Sequence, residues 1–313
     1  MCTAIHWNGF FGRTLDLEAS LREQIVVTPR NFPLPFRRLG RMNSHYAMIG
    51  VAHVEDGYPL YYDAVNEKGL AMAGLNFPGN ARYHEARPDR DNTAPFELFP
   101  WVLGQCASVD EAKQLLERVC VMDEVFSATL PQTPLHWMIA DRERSVVAEP
   151  MEDGLRVYEN PLGVMTNSPP FPRQLDEARA FAELTPVEPE PDESDREAVS
   201  RGRGALGLPG DWSSASRFVR AGFVRKCAVH GGVEQFFRML DAVAVPEGCI
   251  ALRDGGQVRT VYTSACDLER GLYYYTTYES HRIRCVNLCR EHLDGTVLAC
   301  YPLRREADIQ TEN

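Results

Sequence analysis

The sequence predicts an α+β fold in which two mainly antiparallel sheets pack together with helices outside them. Three observations point there. Strand-like runs come first, helical periodicity follows, and strands return in the last third, an order that does not suit one doubly wound parallel sheet. Asn8-Gly9, between residues 3–7 and 10–15, is the strongest short hairpin signal, since both turn positions need positive φ. There is no GxGxxG fingerprint, P-loop, HExxH motif or internal repeat of fixed period.

Each element has its own local cause. The hairpin places Cys2 at a strand terminus and brings Arg13 and Asp16 back toward it. Apolar runs at 47–54, 60–64 and 70–75 read as strands, separated by Asp56-Gly57 and Glu67-Lys68-Gly69. Helical periodicity covers 96–105 and 109–119, the latter begun by Ser108 as N-cap with Glu111 three residues on. Strands are expected at 135–140, 145–149, 155–158 and 163–166, then helices at 173–184, 214–228 and 233–243. The last third returns to strands at 258–264, 271–277 and 283–287. Residues 186–195 are acidic and proline-rich, so they are expected to form a solvated loop that interrupts one domain rather than joining two.

Composition narrows the function classes. A net charge of −11 argues against nucleic acid as a partner, because phosphate binding needs basic patches. No stretch approaches the roughly 18 apolar residues of a membrane span, and the first residues lack a secretory signal pattern, so the chain reads as cytoplasmic. None of the nine cysteines forms a CxxC pair. Cys285 and Cys289, with His281 and His292 nearby, are too loosely spaced for a usual structural zinc site; free thiols in a reducing compartment fit better.

Cys2 carries the chemistry. Removal of Met1, expected before a small second residue, leaves a chain beginning Cys2-Thr3-Ala4. A thiol and a free α-amino group then share one residue. An α-amine titrates close to neutrality and can take a proton while the thiol attacks. Polar clusters interrupt strand-like or helix-starting sequence at Phe11-Gly12-Arg13-Thr14-Leu15-Asp16, Ala73-Gly74-Leu75-Asn76-Phe77-Pro78-Gly79 and Val164-Met165-Thr166-Asn167-Ser168-Pro169-Pro170. Another runs from Gly207 through Asp211-Trp212-Ser213-Ser214-Ala215-Ser216-Arg217-Phe218.

With Cys2-Thr3, Leu135-His136-Trp137-Met138-Ile139 and Gly271-Leu272-Tyr273-Tyr274-Tyr275, this set resembles the choloylglycine hydrolase family over nearly the whole chain. That family comprises bile salt hydrolases and penicillin V acylases. The resemblance implies a four-layer αββα sandwich of the N-terminal nucleophile hydrolases, here a single domain over residues 2–313 with an assembly excursion at 186–208. It assigns the nucleophile to Cys2, the thiol-adjacent arginine to Arg13 and the carboxylate that holds the α-amine to Asp16. Asn76 matches the oxyanion-side asparagine, Asn167 the asparagine of the TN-x-P segment, and Arg217 the second arginine.

Physical chemistry gives these residues work to do. Arg13 and Arg217 are cations that would stabilise a thiolate, helped by the positive end of the helix near Arg217. Asp16 would orient the α-amine, and Asn76 would donate to the oxyanion of the tetrahedral intermediate.

Penicillin V acylases of the family often carry tyrosine where Asn76 stands, so the resemblance points to conjugated bile salts as substrate. Leu17, Phe126, Leu130 and Leu135 are candidates for the apolar trough that would hold the sterol, although each is also compatible with plain packing. The tight Asn8-Gly9 turn is shorter than the excursion common in the family at that point and could reshape one pocket wall. Penicillin V or N-acyl homoserine lactones are the alternative substrates, and a non-catalytic sterol-binding protein is the alternative class. No metal or organic cofactor is implied. A homotetramer is implied by the resemblance alone.

Overall fold

Asn8 and Gly9 take φ of 47° and 75°, the two left-handed positions a two-residue hairpin requires. The chain therefore folds back at once, as Cys2–Trp7 (β1) and Phe10–Leu17 (β2). The computed structural model describes residues 1–190, 201–229 and 231–313. Residues 191–195 of the expected acidic loop, and 191–200 of the wider excursion, lie outside the described residues.

Seven more strands precede the first helices: Gln24–Thr28 (β3), Leu34–Phe36 (β4), Gly40–Met42 (β5), Met48–Glu55 (β6), Tyr58–Asn66 (β7), Ala71–Asn76 (β8) and Asp91–Thr93 (β9). Helices Leu98–Leu103 (α1) and Val109–Leu116 (α2) follow. Strands Val119–Val121 (β10), Leu135–Ala140 (β11), Ser145–Met151 (β12), Gly154–Glu159 (β13) and Val164–Met165 (β14) lead to helices Phe171–Ala178 (α3), Ser214–Cys227 (α4) and Val233–Asp241 (α5). The chain ends through Arg259–Asp267 (β15), Leu272–Thr277 (β16), Arg284–Asn287 (β17) and Ala299–Pro302 (β18).

Two large sheets result. One has the order β14-β1-β2-β15-β16-β17, the other β13-β12-β11-β8-β7-β6-β3-β18, and every pairing within them is antiparallel. They meet where β1 and β2 cross β8. Helices α4 and α5 cover the outer face of the first sheet, while α1 and α2 cover the outer face of the second. The layers are helix, sheet, sheet, helix.

The second sheet shows why its strands read as unbroken apolar runs. Ile25, Val27, Ala71, Ala73, Leu75, Met138 and Val147 face the core shared with the first sheet. Their neighbours Val26, Met72, Trp137, Ile139, Val146 and Ala148 face the core beneath α1 and α2. A strand buried on both faces has no polar side to display, so strict alternation disappears.

Several elements depart from the sequence reading. The expected 96–105 helix is a short 3-10 turn, Pro95–Glu97, followed by α1, which stops at Gly104. The 109–119 helix ends at Leu116, and the β-branched Val119 and Val121 instead pair β10 in parallel with β9. The 173–184 helix is α3 over residues 171–178, continued by a 3-10 turn at Arg179–Phe181. Strands β3 and β18 were missed, although Ile25-Val26-Val27-Thr28 carries a β-branched signal. β18 ends in Pro302 at the sheet edge, where a missing N–H does no harm.

Candidate active site

The hairpin register builds the site. Cys2 lies opposite Leu15 and Ala4 opposite Arg13, so Cys2, Arg13 and Leu15 share the face of the first sheet that looks toward the second. Arg13 is wholly buried. Its Nη1 donates to the carbonyls of Tyr62 (2.9 Å) and Gly74 (2.7 Å), and its Nε to that of Thr14 (3.2 Å). That leaves Nη2 aimed at Cys2 Sγ, 2.6 Å away. Burial opposes the charge of Arg13, yet its negative neighbours, led by Cys2 and then Tyr262, Asp63 and Asp16, hold its pKa above the ordinary arginine value.

Asp63, on β7 of the second sheet, reaches across the interface between the sheets. Burial pushes its carboxyl above the usual range, against Arg13 and hydroxyl donors from Tyr262 (2.6 Å), Ser264 (3.0 Å) and Tyr273.

The backbone of Cys2 is held from the other side. Arg217, four residues after the N-cap Ser213 of α4, sends Nη1 to the Cys2 carbonyl (2.5 Å) and Thr3 Oγ1 (2.7 Å). Its Nη2 reaches Asn167 Oδ1 at 2.7 Å, and that same oxygen accepts from Cys2 N at 2.9 Å. Asn167 Nδ2 donates to the carbonyl of Asn76 at 2.7 Å, which settles the amide orientation without ambiguity. Burial presses the Arg217 pKa below its ordinary value, while Asp16 and Cys2 pull it back.

Two geometric expectations change here. Arg217 contacts the carbonyl of Cys2 and not its sulfur, because α4 covers the outer face of the sheet, whereas the thiol looks inward. With Met1 in place, the Cys2 nitrogen donates to Asn167 and not to Asp16. Asp16 instead accepts from Thr260 Oγ1 (2.7 Å) and Thr14 Oγ1 (3.3 Å), and its backbone pairs with both Met1 N and Met1 O.

Cys2, Arg13 and Asn76 open onto a cavity of about 800 Å³ whose walls are mostly apolar. Leu17, Phe126, Leu130 and Leu135 all line it, so the four trough candidates converge. The side-chain amide of Asn76 has no hydrogen-bond partner among the described residues and is free to donate into that space. Tyr62, Gly74, Thr3 and Thr260 were missed from sequence. The first two act through backbone carbonyls, which leave no residue-type signature. Cys285 and Cys289 are exposed free thiols. Among the described residues no helix is long and apolar enough to cross a membrane.

Two packed antiparallel sheets between helical layers, with the first strand opening into the cleft, make this an N-terminal nucleophile hydrolase fold. A family profile described as linear amide C–N hydrolases, choloylglycine hydrolase family, matches residues 2–301. A bile salt hydrolase/transferase from Lactiplantibacillus plantarum is 45% identical over 324 residues, covering 100% of both chains. The crystal structure of a conjugated bile acid hydrolase from Clostridium perfringens superposes with a TM-score of 0.94 at 34% identity, covering 100% of both chains. A penicillin V acylase from Agrobacterium tumefaciens shares the fold, with a TM-score of 0.76 at 20% identity over 96% of this chain and 90% of that one. The chain belongs to the choloylglycine hydrolase family and is an enzyme of the linear amide C–N hydrolase class.

Proposed function

We propose that the chain, as a single domain over residues 2–313 once Met1 is removed, hydrolyses the amide bond of glycine- and taurine-conjugated bile salts. The observation that carries this reading is Cys2 Sγ, held 2.6 Å from Arg13 Nη2, at a largely apolar cavity of about 800 Å³. Arg13 Nη2 donates to that sulfur and holds it in place for attack. The mostly apolar walls suit a sterol, and the exposed Arg22 among the lining residues, which also include Glu55 and Glu124, is the cation for the anionic glycine or taurine end.

In the proposed course, Cys2 Sγ attacks the amide carbonyl and the thiol proton passes to the α-amine of the same residue. Asn76 donates its side-chain N–H to the oxyanion. The α-ammonium then protonates the departing nitrogen, and glycine or taurine leaves. Water attacks the remaining thioester with the α-amine as base, releasing the free bile acid. Asn167 Oδ1 orients the nitrogen, Asp16 lies close to it in the strand ladder, and Arg217 fixes the main chain of Cys2.

Penicillin V or an N-acyl homoserine lactone is the second reading, with the same chemistry. Asn76 and the 45% identity to a bile salt hydrolase/transferase favour bile salts. Release of glycine and taurine from conjugated bile salts, compared with phenoxyacetate release from penicillin V, tests the ranking. Faster turnover of penicillin V overturns it. A sterol-binding protein without activity would bind bile salts and release nothing. A cytoplasmic homotetramer completes the reading, and native mass measurement checks the assembly.

A further inference from the structure

A second buried pair of titratable side chains lies behind the two asparagines. His136 and Glu149, on neighbouring strands β11 and β12, are both fully buried, with His136 Nδ1 3.1 Å from Glu149 Oε1. His136 Nε2 lies 2.9 Å from the carbonyl of Thr166, which can only accept, so Nε2 carries hydrogen. Glu149 accepts from the N–H of Phe171, the first residue of α3, where the helix end favours a carboxylate. The Nδ1–Oε1 contact is a hydrogen bond that shares one further proton across the pair. His136 is thus tethered through both ring nitrogens.

The chain neighbours of this ring matter most. Thr166 precedes Asn167. Phe77 follows Asn76 and stacks on His136 with ring centroids 4.3 Å apart and planes at 6°. One side chain thus touches the residue next to each asparagine, and the asparagines bond each other at 2.7 Å. Ser214 Oγ and Gln174 also hold the Asn167 main chain, but neither contacts the segment around Asn76. Ser168, beside Asn167, links the arms from the more exposed side, donating to the Pro78 carbonyl (2.9 Å) and accepting from Asn80 Nδ2 (2.9 Å), while His136 is the fully buried link between them.

We propose that His136 is a positioning residue that sets the spacing of Asn76 and Asn167 around the reacting amide. This rests on the hydrolase reading above. Misplacing an oxyanion donor slows the step in which charge develops and leaves ground-state binding little changed. Alkylation of Cys2 by iodoacetamide needs the thiolate and Arg13 but no oxyanion donor, so it serves as an internal control.

The test compares wild type with His136→Gln and with the double variant His136→Gln/Glu149→Gln, which leaves no unpaired buried charge. Expected for His136→Gln is a fall in kcat of on the order of tenfold or more, with KM within about threefold and Cys2 alkylation within about twofold. The double variant should regain thermal stability without regaining kcat. Recovery of kcat together with stability overturns the proposal, as does parallel loss of alkylation and turnover. A double variant that does not fold assigns the pair to stability alone and also overturns it. Absence of glycine or taurine release by wild type defeats the substrate reading instead, and the two failures are thereby distinct.

Discussion

Arg13 Nη2 meets Cys2 Sγ at 2.6 Å, across a diagonal of the β1–β2 ladder at the floor of the cavity. Three backbone carbonyls occupy the Nε and Nη1 donors of the guanidinium. A lysine has no fork with which to reproduce that set. Arg13→Lys should slow iodoacetamide alkylation of Cys2 at neutral pH and lower stability by about 2–3 kcal/mol through orphaned carbonyls. Alkylation rates and denaturant midpoints measure the two effects separately. Unchanged alkylation would remove Arg13 from the activation of sulfur.

Asn76 has an unengaged amide facing the cavity. Asn76→Ala should lower kcat by about 10²–10³ with little change in KM, the usual consequence of removing one oxyanion donor. Steady-state kinetics on a glycine conjugate checks this. A rise in KM alone would recast Asn76 as a ground-state contact.

Met1 pairs with Asp16 through both main-chain polar groups and blocks the amine of Cys2. Intact mass of active enzyme should show its loss. Cys2→Ser should be processed in the same way and lose nearly all turnover, since an alcohol has no thiolate form to offer. Active enzyme that retains Met1 removes the α-amine from the mechanism.

His6 supplies an acid-sensitive point in β1. Burial, aided by the charge of Arg225, lowers its pKa from 6.5 to about 4. Between those values the unfolded chain binds the proton and the folded one does not, so stability rises with pH there and is lost as pH falls from about 6.5 toward 4. The full effect is about 3 kcal/mol. Asp63, whose pKa burial raises, acts in the opposite sense: its contribution is present in acid and lost as pH rises. Thermal midpoints of wild type and His6→Phe across pH 4–7 isolate the histidine, and the variant should show the flatter acid limb. Parallel curves would exclude His6 as the source.

Much of the site could be read before any coordinates, because its chemistry depends on residue type. A thiol sharing its residue with an α-amine, an amide ahead of Phe-Pro-Gly and an arginine near a serine-capped helix start are all visible in one dimension. The hairpin was equally local, since Asn8-Gly9 sets its turn without help from the rest of the chain. The edge strand β18 and the partners of Asp16 were not visible, because each depends on pairing between segments far apart in sequence.

Residue identity along the chain decided which groups could react: the sulfur of Cys2, the cations of Arg13 and Arg217, and the amides of Asn76 and Asn167. Sheet packing decided which atom each one meets. Arg13 points inward to the sulfur of Cys2 and Arg217 comes from the helix side to the hydroxyl of Thr3 and the Cys2 carbonyl, because Cys2 and Thr3, successive on β1, face opposite layers. His136 follows the same rule: nothing in Leu-His-Trp marks it, and only the apposition of β11, β12 and the Thr166 segment brings a buried, doubly bonded imidazole behind both asparagines.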